Sequence, residues 1–181
     1  FRTAHGCTGV WISIRGFSMT AQAPESIEID GGSHALCSEP LSMYNALGGG
    51  LPEFEGFWST AIQRGYLGTW EIKGDRLYLI AIKALRKSGR FETADEILSG
   101  GYADLGELFP GYPNRVFAHW YSGTLRIPQG KEIEYVHAGF ASEFERDLLI
   151  QVERGVVTNT SIRQNGEAPE DAPDAYRVAA W

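Results

Sequence analysis

Residues 68–80 set the pattern for the whole chain. Thr69-Trp70-Glu71-Ile72-Lys73 and Arg76-Leu77-Tyr78-Leu79-Ile80 alternate apolar and polar residues around Gly74-Asp75. That spacing predicts a β-hairpin with a two-residue type II′ turn. Its register would set Trp70 opposite Leu79 and Ile72 opposite Leu77 on one face, with Glu71 opposite Tyr78 on the other. Other segments read the same way. Ser26-Ile27-Glu28-Ile29-Asp30 alternates and ends at Gly31-Gly32, with His34–Cys37 as its return strand. Val116–Ile127 is the longest strand candidate, and Pro128-Gln129-Gly130-Lys131 reads as a turn into Ile133–His137. Leu148–Glu153 turns at Arg154-Gly155 into Val156–Thr160.

Helical signals are few. Pro40–Leu47 reads as a short helix with Pro in its first turn, stopped by three glycines. Ala103–Leu108 suits one helical turn. Thr93–Leu98 fits a helix or a strand equally. Leu51–Gln63 is a loop anchored by Phe54, Phe57 and Trp58, and the charged run Glu143-Phe144-Glu145-Arg146-Asp147 reads as a solvated loop or helical turn, with an exposed acidic site that grips a basic partner as the alternative. The expected fold is α+β and β-dominated: a curved antiparallel sheet, half-barrel or sandwich, with one or two short helices. Residues 25–163 form its single domain. Residues 164–181 are an acidic, Pro-rich, mobile tail.

Residues 1–24 are an N-terminal leader or an added first strand. They hold no carboxylate, whereas all 23 acidic residues follow from Glu25 onward. Met19 is the expected natural start, which would make residues 1–18 a read-in segment. The rival reading places Gly9–Phe17 in the sheet with Trp11 buried.

Composition narrows the function classes. The 181 residues carry 16 basic and 23 acidic side chains, a net charge of −7, which argues against a dedicated nucleic-acid binder. No apolar run approaches the ~18 residues of a membrane span. Cys7 and Cys37 form neither a disulfide framework nor a zinc spacing, which fits reduced thiols in the cytoplasm. No metal or cofactor motif is present. Ser122 and Ser142 lack a nucleophile elbow, and Gly48-Gly49-Gly50 lacks the Lys-Ser/Thr of a phosphate loop. His119 and His137, on consecutive predicted strands, could approach a metal triad with Glu71 or Glu134, but a satisfied histidine is the simpler reading of each.

The strings Arg64-Gly65-Tyr66, Thr69-Trp70-Glu71-Ile72, Leu77-Tyr78-Leu79, Phe109-Pro110, Val116–Gly130 and Glu134-Tyr135-Val136-His137 resemble a family of uncharacterised bacterial proteins carried on mobile DNA, gene cassettes among them. The resemblance covers roughly residues 26–160. It implies a bacterial origin on a mobile element, and no activity comes with it.

Three functions follow as expectations. The first is a non-enzymatic binding protein, immunity- or antitoxin-like, that contacts a basic protein partner. The second is a small-molecule site or small enzyme on the concave sheet face, built from Arg64, Glu71, Trp120, Arg126 and His137. The third is a structural homo-oligomer joined through an exposed sheet edge. The leader supplies the first test. A chain starting at Met19 is expected to lose less than ~0.5 kcal/mol in thermal melts. A loss of at least ~3 kcal/mol would mean that Trp11 belongs to the core.

Overall fold

The computed structural model describes residues 20–52, 54, 60–85 and 102–176. The leader, Phe57, Trp58, the 93–98 segment and Trp181 therefore lie outside the described residues. Within them, nine strands and two short helices follow one another as β1 (Glu25–Ile29), β2 (Gly32–Leu36), α1 (Pro40–Ala46), β3 (Tyr66–Lys73), β4 (Arg76–Leu85), β5 (Tyr102–Ala103), α2 (Leu105–Leu108), β6 (Val116–Phe117), β7 (Gly123–Glu134), β8 (Glu143–Glu153) and β9 (Val156–Gln164). They build one curved sheet in the order β2-β1-β3-β4-β9-β8-β7, with β5 and β6 added to β4.

The expected β-dominated α+β class holds, but the sheet is mixed, because β1 and β3 are parallel. The reason is geometric. β2 returns antiparallel to the Glu25 end of β1, and the described residues between 37 and 65, α1 included, stay at that end. β3 therefore sets off from where β1 began. Glu39, Ser42 and Arg64 consequently gather at the same end of the sheet as Glu25 and Tyr66.

The β3–β4 hairpin has the register read from its alternation: Trp70↔Leu79, Glu71↔Tyr78 and Ile72↔Leu77. Its turn is type I′ instead of II′, since Gly74 and Asp75 both have positive φ, 56° and 58°. Asp30-Gly31 and Arg154-Gly155 repeat that conformation. Asp tolerates the left-handed region because its short polar side chain bonds locally, so the turn follows strand twist, which favours I′ equally.

The long strand expected over 116–127 is broken. β6 pairs with β4 for two residues only. Ala118 N then donates to Leu77 O and Tyr121 N to Ala118 O, which folds the chain into a tight corner. The corner buries Trp120 and Tyr121 together, and two successive residues of a flat strand cannot share one face. The expected turn at 128–131 is absent. β7 runs straight through Pro128, opposite Asp147, and adjusts by a bulge between Gln129 and Glu132, with Gly130 at φ +81°. β7 lies at the end of the sheet order, where the missing proline N–H costs no ladder bond. The charged run 143–147 is the first half of β8, with Phe144 and Asp147 fully buried.

The segment expected as a mobile tail lies along β7 in its described part. Glu132 N donates to Pro173 O (2.8 Å), Ala175 N donates to Gly130 O (2.7 Å), and Tyr176 packs on Phe144. Where the sheet curls round, β2 and β7 approach without forming a ladder. Cys37 N donates to Arg126 O at 2.8 Å, and Ser38 Oγ accepts from Arg126 N at 3.0 Å. The sheet thus stays open. Inside it Ile27, Trp70, Leu77, Leu79, Leu125 and Ile127 are fully buried.

On the other side, β4 and β9 join through the tips of two hairpins. Leu77 N donates to Gly155 O and Val157 N to Asp75 O, while Gly155 N reaches Tyr121 O. A Cβ on Gly155 (φ +80°) would stand 2.8 Å from both Ala118 O and Phe117 Cε2. Gly31 has a similar φ, +79°, and open space around it. Gly31→Ala is therefore expected to cost about 1 kcal/mol. Gly155→Ala should cost clearly more, up to ~3 kcal/mol, with strain and clash combined. Equal losses on denaturant unfolding would show that the seam yields to an added methyl.

Candidate functional site

The five residues proposed for a concave ligand site do not form one site. Arg64 is buried at the end of the sheet shared by β1 and β3. Glu71 lies on the other face of the hairpin, as Trp70 is turned into the core. There it is ion-paired with Arg115 Nη2 at 2.7 Å, and that guanidinium also covers the Tyr78 ring. Trp120 is a core residue. Its Nε1 donates to Pro40 O, and its ring meets Tyr44 and Phe109, which pins α1 to the corner after β6. Arg126 is held by Asp147 and by the carbonyls of Phe140 and Ser142. His137 is in the loop after β7, its Nδ1 2.8 Å from Tyr135 Oη. His119 meets Phe117 O and the Trp120 ring, so the two histidines have separate partners. Among the described residues no three His, Cys, Asp or Glu side chains are grouped to hold a metal ion.

Two buried carboxylates, neither singled out by sequence, organise the polar interior instead. The first is Glu25. Its side chain is fully buried, accepting from Arg64 Nε at 3.1 Å through one oxygen and from Trp70 Nε1 through the other. Arg64 also donates to Ala23 O and Glu39 Oε1, while Tyr66 Oη bonds Ser42 Oγ. Gly68 is required here, because a Cβ would stand 2.5 Å from Glu25 Oε2. Removal from water pushes the Glu25 carboxyl up to about 7, against the Arg64 charge and the Trp70 hydrogen bond, which both favour ionisation. Burial likewise raises Tyr66. Beside this cluster lies an open hollow of about 600 Å³, lined by Asn45, Gly48, Gly50, Leu51, Pro52, Phe54 and Arg64.

The second is Asp147, buried in β8. It accepts from Arg126 Nε (2.8 Å), Arg163 Nη2 (2.6 Å) and Asn165 Nδ2 (2.9 Å). Its burial opposes ionisation, yet three donors outweigh burial and hold the carboxyl below its usual value. Arg126 and Arg64 both act on the buried Cys37 thiol, but burial dominates and pushes it up to about 12, so Cys37 stays a neutral thiol.

Alternation carried the signal for Glu25, which shares its parity with Ile27 and Ile29. Asp147 was hidden because the strand was read from Leu148 onward instead of from Glu143.

A third feature is an acidic end of the sheet. Glu134 of β7 stands directly opposite Glu143 of β8, both exposed. The 165–176 segment, which carries Glu167, Glu170, Asp171 and Asp174, lies against Gly130–Glu132 and Glu145, where Lys131 Nζ donates to Glu170 O. The backbone N–H groups of Lys131 and Ala168 hold the Glu145 carboxyl below its ordinary range. No helix among the described residues is long and apolar enough to cross a membrane. Comparison with protein-family models, curated proteins and solved structures finds no match for this chain.

Glu25 gives a pH dependence with a definite sign. Its pKa in the fold, about 7, lies above the ordinary 4.5. The stability it contributes is therefore complete below ~4.5 and lost as pH rises through 7. The expected loss is on the order of 3 kcal/mol between pH 4.5 and 8. Glu25→Gln should flatten that slope in urea unfolding whatever its effect on absolute stability. An unchanged slope would place the titration elsewhere.

Proposed function

We propose that this is a non-enzymatic binding protein of the immunity or antitoxin kind, which presents the acidic end of its sheet to a basic surface on a partner protein. The observation that carries the reading is the Glu134–Glu143 pair. Like charges directly opposite on neighbouring strands are destabilising, and the chain adds more carboxylates beside them through the 165–176 segment. A basic partner would relieve the repulsion that the free protein bears. Charge of this kind speeds encounter and makes it salt-sensitive.

The interior supports the same reading. The two buried carboxylates, Glu25 and Asp147, have their oxygens occupied by protein donors. The bonds that Arg64 and Arg126 make hold the framework together.

A bacterial setting on mobile DNA, with a cytoplasmic site of action, fits a small accessory protein of this type. The hollow beside Arg64 favours the ligand reading less: it is open, and of the five residues proposed for that site it contains only Arg64.

Charge reversal separates binding from stability. Glu134→Lys would face Glu143 with an opposite charge, so the variant should melt no lower than the parent. Pull-downs from the source host should retain the partner at low salt with the parent protein, lose it at high salt, and lose it with Glu134→Lys at both. Retention by the variant at low salt would sink the proposal.

A further inference from the structure

Among the described residues, β9 is the one long strand whose outer edge is left open. Its nine residues, Val156–Gln164, are exposed along nearly their whole length. On one side β9 pairs with β8 throughout. On the other, among the described residues, it meets β4 only at Arg76↔Val156. The two strands at the ends of the sheet order are protected differently. β7 carries Pro128, a bulge and the 165–176 segment, and β2 lies against β7. Natural sheets blunt open edges with lysine, proline, inward charges or bulges. Residues 158–164 have no proline, lysine or acid, and their single charge, Arg163, is engaged by Asp147.

The hydrogen-bond phase of this edge follows from its neighbours. Asn165 N donates to Glu145 O of β8, whereas Val157 N turns away to Asp75 O, and the bulge at Gln151/Val152 absorbs the change between them. Alternation then turns the backbone N–H and C=O of Thr160, Ile162 and Gln164 outward. Ile162, 56% exposed, stands at the middle of this run.

The geometry points to a two-fold homodimer in which β9 pairs antiparallel with β9 of a second copy, centred on Ile162. In that register Ile162 meets Ile162, Thr160 meets Gln164, and Ser161 meets Arg163. No like charges are opposed. The edge is self-complementary, as a two-fold interface requires. Arg76 caps the open edge where it meets Val156. A chain with net charge −7 thus meets its own copy along a strand free of acids over 158–164. The inference does not rest on the partner proposed above, since Glu134 and Glu143 lie outside this pairing.

Light scattering on the full chain tests it, with two variants as probes. The parent at about 100 µM is expected at twice the chain mass of 20.0 kDa. Ile162→Lys sets two ammonium groups against each other on the axis. Thr160→Pro deletes an outward N–H that the β8 ladder does not use. Each should halve the mass while keeping the parent's circular dichroism spectrum, and either alone suffices if the other fails to fold. A monomeric parent, or a dimer whose mass both folded variants leave unchanged, would overturn the proposal.

Discussion

Continuity of this sheet depends on the contact between two hairpin tips. Without the bonds Leu77 N to Gly155 O and Val157 N to Asp75 O, strands β1–β4 and β7–β9 would share no ladder among the described residues, only the bridge of Ala21 with Gly139 in the segments beside them. The corner at residues 118–121 is drawn into the same joint, bonding Leu77 O and Gly155 N. One glycine therefore serves three segments, and the backbone of Ala118 passes too close to it for any side chain. The halves also approach where Cys37 and Ser38 meet β7, through one backbone bond and a serine hydroxyl, and where Ala21 bridges Gly139. The result is a curled sheet with its apolar side chains enclosed and its ladder incomplete. β9 is left exposed because it diverges from β4 immediately after the joint.

Each half then carries one buried carboxylate with an arginine. Burying such a pair is often no more favourable than apolar packing, but removing one partner leaves an unpaired charge, at a cost of about 3–5 kcal/mol. The two pairs differ in how completely their charges are met. Asp147 receives three side-chain donors, two of them guanidinium groups, and stays ionised. Glu25 receives one guanidinium and one indole, and burial prevails. Asp147 also ties three strands to the following segment, through Arg126 of β7, Arg163 of β9 and Asn165. Glu25 ties β1 to β3 and, through Arg64 and Glu39, to the approach to α1. Both are structural fastenings placed where strands alone would not hold the connections.

What the sequence made legible was local. Register in the β3–β4 hairpin followed from alternation around Gly74-Asp75, since a slip by one residue would turn Trp70 outward. Helix α1 was announced by Pro40 and the three glycines after it. The failures share a cause: each depended on what lay across the fold. Residues 116–127 alternate well enough for a strand, but β4 offers β6 only two residues, and the apolar interior accepts Trp120 and Tyr121 together. Pro128-Gln129-Gly130 has turn composition, yet at an edge strand the same residues make a bulge. The Glu71 partner, Arg115, lies 44 positions away and no local pattern points to it. The residues of the expected ligand set are dispersed for the same reason. Arg64, Arg126 and Trp120 are chemically suited to a ligand, but each is spent on holding a connection in place.

The distribution of charge is the remaining constraint, and it differs from one end of β9 to the other. Acids crowd the end where β7, β8 and the 165–176 segment meet, and the fold tolerates Glu134 opposite Glu143 there. Arg76 and Arg154 stand at the hairpin tips, the other end of β9, each next to an acid, Asp75 and Glu153. β9 itself, between those ends, is almost uncharged. A basic residue opposite Glu143 would stabilise that strand pair, and a lysine on β9 would guard its edge against another chain; each is a single substitution at an exposed position, and the chain has neither. Contact with a basic surface would lower the repulsion at one end, and the solvated backbone groups along β9 are open to pairing with a matching strand.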